Sequence, residues 1–131
     1  VLAELLALEK VAMLLRISGE PPISALRAAE EHLVRIGLRD RLHHRPSELS
    51  GGEQQRVAIA RSIVRRPEIL FADEPTGNLD TQNAARIQDL LFELQASLGL
   101  TLVVVTHDAT FAARFPRALK MRDGQWESRN F

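Results

Sequence analysis

The sequence predicts an α/β protein built around a strand–helix–strand unit, and three observations lead to that expectation. "EILFA", residues 68–72, is a short apolar run that ends in "DEP", and its length suits a strand better than a helix. "TLVVVTH" sets Val103, Val104 and Val105 in a row. A β-branched run without alternation marks a strand covered on both faces, as in parallel sheets. Between the two runs lies one long helical stripe, Ala84, Ile87, Leu91, Leu94 and Leu98. Strand, helix and strand in that order make a parallel pair with a right-handed crossover.

The elements follow in chain order. Leu5, Leu8, Ala12 and Leu15 fall near helical spacing, and "SGEPP", residues 18–22, breaks that helix. Leu26, Ala29, Leu33 and Ile36 form a second helical stripe, and Gly37 is placed to stop it. "RDRLHHRPSEL" follows as a basic loop, so residues 1–48 read as a small helical subdomain. The third helix has a capping box, with Ser50 at the N-cap and Glu53 at N3. Val57, Ala60, Ile63 and Val64 form its apolar face, and Pro67 forbids its continuation. The strand at 68–72 is expected to be buried. Asp80 caps the long helix and Gly99 ends it. Asp108 is placed to cap a further short helix, and "RALKMRDGQWES" closes as a hairpin with Asp123-Gly124 in a type I′ turn.

Composition excludes several chemistries. The 131 residues suffice for one compact domain, with 45% hydrophobic and 26% charged residues. Seventeen basic residues balance seventeen acidic ones, so no general electrostatic reason exists to expect a nucleic-acid partner. The absence of cysteine excludes disulfides, thiolate zinc sites and cysteine nucleophiles. No apolar run approaches a membrane span, and the leucine-rich start lacks the basic leader and cleavage site of a signal peptide. A soluble chain without direct membrane insertion is expected, with any membrane role exercised through partners. Its two lysines, Lys10 and Lys120, do not follow glycines, so G-x-x-x-x-G-K-[ST] is absent from these residues. His32, His43 and His44 do not set two metal ligands on one helix face. The arginines of "RVAIARSIVRR" read as a solvated helix face rather than a nucleic-acid patch.

Chemistry concentrates at the strand ends. In open α/β sheets ligands bind beyond the carboxyl ends of the strands. Asp73 and Glu74 end the first strand and Thr106 and His107 the second, so parallel strands would bring all four to one rim. Adjacent carboxylates there suit metal-assisted phosphoryl transfer, one holding Mg²⁺ and the other orienting or deprotonating a water; solvated strand-end charges are the plainer alternative. His107 is either a catalytic group on the same rim or a surface histidine. "SGGE" offers free backbone N–H groups at a helix start, where anions bind and glycines allow close approach; a tightly entered, well-capped helix would use the same residues.

Taken together these motifs closely resemble the ATP-binding-cassette (ABC) ATPases. "LSGGEQQR" looks like the family's signature loop, "ILFADEP" its Walker B segment, "GNLD" its D-loop and "VVVTHD" its switch-histidine segment. All four stand in the family's order at compatible spacing. "RLHHRPSELSGGEQQRVAIAR", "ADEPTGNLD" and "ALKMRDGQW" look most like the subfamily that contains the lipoprotein-releasing (Lol-type) ATPase subunit. Macrolide-export and cell-division cassettes share "LSGGEQQRVAIAR" and "DEPTGNLD" and are less similar around "RLHHRPSEL".

The resemblance covers nearly the whole chain and corresponds to the C-terminal part of a P-loop NTPase fold of the cassette type. It implies a partial helical subdomain at 1–48, then at 49–131 the signature helix, a parallel βαβ part of a RecA-like core and a terminal hairpin. It implies ATP and Mg²⁺ as cofactors. Asp73 would bind Mg²⁺, Glu74 would polarise the attacking water and His107 would contact the γ-phosphate. Ser50, Gly51, Gly52 and Glu53 would form the signature contact to ATP held by the other subunit of a head-to-tail homodimer, and Asp80 would reach across that interface. Transmembrane permease subunits would be the partners, at the cytoplasmic face of the inner membrane.

The family's Walker A lysine loop, adenine-stacking aromatic and glutamine loop have no counterpart in these residues. The expectation is that the 131 residues alone bind no ATP productively and leave apolar helix faces partly uncovered. Two further readings follow. One is a catalytically inactive remnant or interaction module. The other is a cassette ATPase of DNA repair or translation, disfavoured because no long coiled-coil or linker insertion is visible.

Overall fold

The computed structural model describes residues 4–130, so the outermost residues of both expected units, 1–3 and 131, lie outside it. Helix α1 spans Ala7–Ile17, and its first turn is closed by the Leu6 N–H donating to Glu9 Oε2 at 2.9 Å. Val11, Ala12 and Leu15 are buried on its inner face. Helix α2, Pro22–Arg35, starts with a proline where the missing N–H costs nothing. Its buried ridge is Ala25, Ala29 and Leu33. The expected stripe is thus offset, because Leu26 is exposed and Ala25 takes the core position. Two small residues on the facing ridge let α1 approach closely, which turns the larger side chain outward. Gly37 then adopts φ +85°, a left-handed conformation that ends the helix.

The basic loop contains two 3₁₀ turns, Arg39–Arg41 and Pro46–Glu48. Leu38, Leu42 and Leu49 anchor it in the core. Helix α3, Gly51–Ile63, opens with the expected capping box, Ser50 Oγ accepting from the Glu53 N–H and Glu53 Oε2 from the Ser50 N–H. Val57, Ile59, Ala60 and Ile63 are buried. Gln54 Nε2 donates to the carbonyls of Pro46 and Leu49, fastening the loop to the helix that follows.

Strands β1, Ile69–Asp73, and β2, Thr101–Val105, pair in parallel with Ile69 opposite Thr101 and Asp73 opposite Val105. Helix α4, Thr81–Leu98, connects them, with Asp80 at its N-cap and Gly99 left-handed at its end. Its core face is Ile87, Leu91 and Leu94 as the stripe suggests, joined by Leu90 and the amide of Gln88. Ala84 and Leu98 sit at the margin of that face.

Coverage of both strand faces does not occur. Leu70 is buried and Leu102 and Val104 pack against the core, while Ile69, Phe71, Val103 and Val105 on the opposite face are exposed. Among the described residues no element packs over that second face. An unbroken apolar run therefore reads as strand correctly but does not reveal which of its faces this chain covers.

Asp108 caps helix α5, Ala109–Ala112, its Oδ1 accepting from the N–H groups of Thr110 and Phe111. Phe111 is fully buried against Phe92 and Phe115, with ring centroids 6.1 and 5.3 Å away. The Arg114 guanidinium lies 4.6 Å from the Phe92 ring centre. The chain ends in an antiparallel hairpin, β3 Ala118–Arg122 and β4 Gln125–Asn130. Asp123 and Gly124 both have positive φ, 49° and 76°, as a type I′ turn requires.

Candidate functional site

The parallel register decides where the strand-end residues stand. Asp73 pairs with Val105, and one residue further the Glu74 N–H donates to the Val105 carbonyl at 2.8 Å. Glu74 and His107 therefore meet. Glu74 Oε1 accepts from the His107 backbone N–H at 2.9 Å and lies 2.7 Å from His107 Nδ1. With a carboxylate oxygen that close, the imidazole proton belongs on Nδ1. The pair is open to solvent, with the His107 side chain 83% exposed.

Glu74 reaches this position by adopting φ +45°. A non-glycine residue held left-handed is strained, and such strain persists where surrounding contacts fix it. Here the ladder hydrogen bond to Val105 and the turn bond from the Gly77 N–H to the Glu74 carbonyl, 3.1 Å, fix it from both sides. Thr106 shares the rim but faces the next turn, its Oγ1 accepting from the Asp108 N–H at 3.1 Å.

Asp73 is exposed, and no described side chain donates to its carboxylate. Among the described residues no three acidic, histidine or cysteine side chains group closely enough to form a protein-made metal cage. Mg²⁺ does not need one. It keeps several waters and takes one or two carboxylates together with phosphate oxygens. A solvent-facing aspartate at a strand end fits that requirement.

The Ser50–Gly52 loop stands apart from the Glu74–His107 pair in sequence and is built at the start of α3. Its glycines serve close packing. A Cβ on Gly51 would lie 3.3 Å from Leu79 Cδ2, and one on Gly52 would lie 3.2 Å from Asn83 Oδ1. The "GNLD" segment and the first turn of α4 thus abut the Ser50–Gly52 loop within one chain. Asp80 caps α4 there and remains exposed. Its Oδ1 accepts from the Asn83 N–H at 3.0 Å and its Oδ2 from Asn83 Nδ2 at 2.6 Å. Hydrogen bonds to Asn83 hold the Asp80 carboxyl below the ordinary carboxylate range.

Glu53 is committed to its surroundings rather than presented outward. Its Oε2 accepts from the Ser50 N–H and its Oε1 from Arg41 Nε at 3.1 Å. The Ser50 backbone bond is the largest cause of its lowered pKa, ahead of Arg41. Arg41, Gln54 and Asn83 are the supporting residues that the sequence pattern did not single out. Arg41 was hidden in a generic basic loop, and Asn83 at N3 of α4 was readable only as a partner for the Asp80 cap.

The ABC transporter family profile matches residues 7–77. The lipoprotein-releasing system ATP-binding protein LolD of Bdellovibrio bacteriovorus is 54% identical over 127 residues, covering 97% of this chain and 58% of that protein. The protein of the same description from Syntrophus aciditrophicus is 54% identical over 124 residues, covering 95% of this chain and 56% of that protein. Among solved structures, a dimeric ATP-binding cassette in a post-hydrolysis state bound to ADP and Pi superposes with TM-score 0.81 at 38% identity. That match covers 96% of this chain and 56% of the other. The chain thus spans little more than half the length of the proteins it matches.

Proposed function

The chain belongs to the ABC transporter family, and from that premise we propose that it serves in the ATP-hydrolysing subunit of a transporter that releases lipoproteins from the inner membrane. The names of the similar proteins support the transported class. The observation that carries the hydrolytic reading is the contact between Glu74 and His107 at the ends of paired parallel strands, with an uncommitted Asp73 beside it.

In this reading residues 1–48 are part of a helical subdomain, and residues 49–131 hold the signature helix and the C-terminal part of the ATPase core. Asp73 would hold Mg²⁺, which when bound neutralises charge on phosphate oxygens. Glu74 orients and polarises the attacking water. Its Oε1 is held by two groups of His107, which leaves Oε2 to accept from that water. His107 would contact the γ-phosphate through Nε2, which donates to a phosphate oxygen when the ring carries a proton there as well as on Nδ1. Ser50, Gly51 and Gly52, with Glu53 bracing them, contact ATP held by a second copy of the subunit, and Asp80 lies at that interface. Hydrolysis also needs a Walker lysine, and neither Lys10 nor Lys120 stands in such a loop.

No described helix is long and apolar enough to cross a membrane. Attachment to the cytoplasmic face of the inner membrane is accordingly assigned to transmembrane permease subunits. No nucleic-acid partner enters this reading.

The test is Glu74→Gln in the protein purified from its own host. ATP binding should persist while hydrolysis falls by about 10² to 10⁴-fold, the range for losing a positioned general base. Unchanged turnover would remove Glu74 from the role.

A further inference from the structure

We propose that Arg41 is a positioning residue for the Ser50–Gly52 loop, acting through Glu53. The inference rests on the reading that this loop contacts phosphate. Arg41 Nε donates to Glu53 Oε1 at 3.1 Å, and the other oxygen of the same carboxylate accepts from the Ser50 N–H at 2.9 Å. Ser50 Oγ in turn accepts from the Glu53 N–H at 3.2 Å. One chain of contacts therefore runs from the 3₁₀ turn Arg39–Arg41 to both the backbone and the hydroxyl of Ser50.

The turn is a firm support. Its flanking Leu38 and Leu42 are buried, and the Arg41 N–H donates to the Leu38 carbonyl at 3.0 Å. Arg41 Nη1 also donates to the Asp40 carbonyl at 3.3 Å, so the guanidinium is held at two points. Lysine has no fork with which to make both bonds.

Electrostatics explain why the loop needs this partner. A helix N-terminus attracts anions, yet Glu53 places a carboxylate three positions into α3. Left unpaired, that charge would repel an incoming phosphate. Arg41 neutralises it and turns it toward the cap. Other neighbours do not share the task. Asn83 of α4 is uncharged, and the Arg56 guanidinium on α3 is directed to the Ile36 carbonyl at 2.7 Å. The Arg41 side chain is 41% exposed, and an ion pair so exposed adds little to global stability. Its removal should therefore be read in the geometry of the loop rather than in unfolding.

The experiment compares wild type, Arg41→Gln, Arg41→Lys and Glu53→Gln in the host-made protein. The Ser50 amide resonance, followed by NMR against pH, reports the ionisation of the carboxylate it donates to. In wild type it should titrate below the ordinary carboxylate range. Arg41→Gln should move that titration to higher pH, Arg41→Lys should restore part of the shift, and Glu53→Gln should abolish it. Turnover should fall about tenfold in Arg41→Gln through misplacement of the loop, with the thermal midpoint held and nucleotide affinity of the monomer unchanged. An unmoved Ser50 titration overturns the proposal, as does a moved titration with wild-type turnover. Ser50→Ala separates the two readings. If it hydrolyses ATP like wild type, the phosphate contact itself fails, whatever the Arg41 variants do to the amide.

Discussion

Leu33 on α2 and Phe71 on β1 are both large apolar side chains in the middle of regular elements, yet Leu33 is fully buried and Phe71 is 74% exposed. The difference lies in what surrounds each element. Helices α1, α2 and α3 are consecutive in the chain and enclose one another, with Val11, Ala25, Ala29 and Ile63 all sealed from solvent. A strand has two faces, and β1 and β2 are covered on one. A helix needs a single apolar stripe matched, so neighbours in sequence can complete it. A parallel sheet needs layers on both sides, and Ile69, Phe71, Val103 and Val105 stay largely open to solvent. Self-sufficiency is thus a property of the helical region, and the strands that position Glu74 and His107 have it on one side only.

The largest effect that would break this contrast is in the helical region. Leu33→Ala removes a side chain with no exposed surface and should cost about 2–5 kcal/mol, the range for emptying a well-packed core site. Denaturant unfolding checks this. A cost within a few tenths of a kcal/mol would mean that the three helices are not the closed unit described.

Next in size is Ser50→Ala, at the junction of the two regions. Losing an N-cap oxygen should lower stability by about 1 kcal/mol. The cap is also pH-dependent in a stated direction. Glu53 has its pKa lowered, chiefly by the Ser50 backbone N–H, so its contribution is present above the ordinary carboxylate range and is lost as pH falls through the depressed folded value. Acid unfolding curves of wild type and Glu53→Gln should therefore converge at low pH and separate above it. Parallel curves throughout would show that the carboxylate does not support the cap.

The same contrast separates what was legible in the sequence from what was not. Local signals were readable because their causes are local. Ser50, Asp80 and Asp108 cap the helices they precede, Gly99 ends α4, and Asp123-Gly124 turns the hairpin. The rim of Asp73, Glu74, Thr106 and His107 was readable because parallel pairing needs only strand order and direction. The exchange of Leu26 for Ala25 was not, since it depends on how closely α1 approaches α2. Nor was the Arg41–Glu53 contact, which joins a loop to a helix through tertiary packing. The bare face of β1 and β2 was hidden for a related reason, because the residue pattern records what a strand is suited to touch and not whether the partner is there.

The smallest expected effect is the most discriminating. In a chain of these 131 residues, Phe71→Ser should change unfolding free energy by no more than about 0.5 kcal/mol, as for a surface site. It should also reduce self-association, because Phe71 and Val103 are cross-strand neighbours in one exposed apolar patch. Sedimentation velocity and chemical unfolding measure the two outcomes. The same substitution in the host-made protein then sharpens the comparison. A cost approaching that of Leu33→Ala would mean that the outer face is covered there, so that Glu74 and His107 stand on a sheet packed on both sides. A cost that stays small would mean that the strands present those residues from a one-sided support, whose geometry depends on α3, α4 and the ladder bond between Glu74 and Val105.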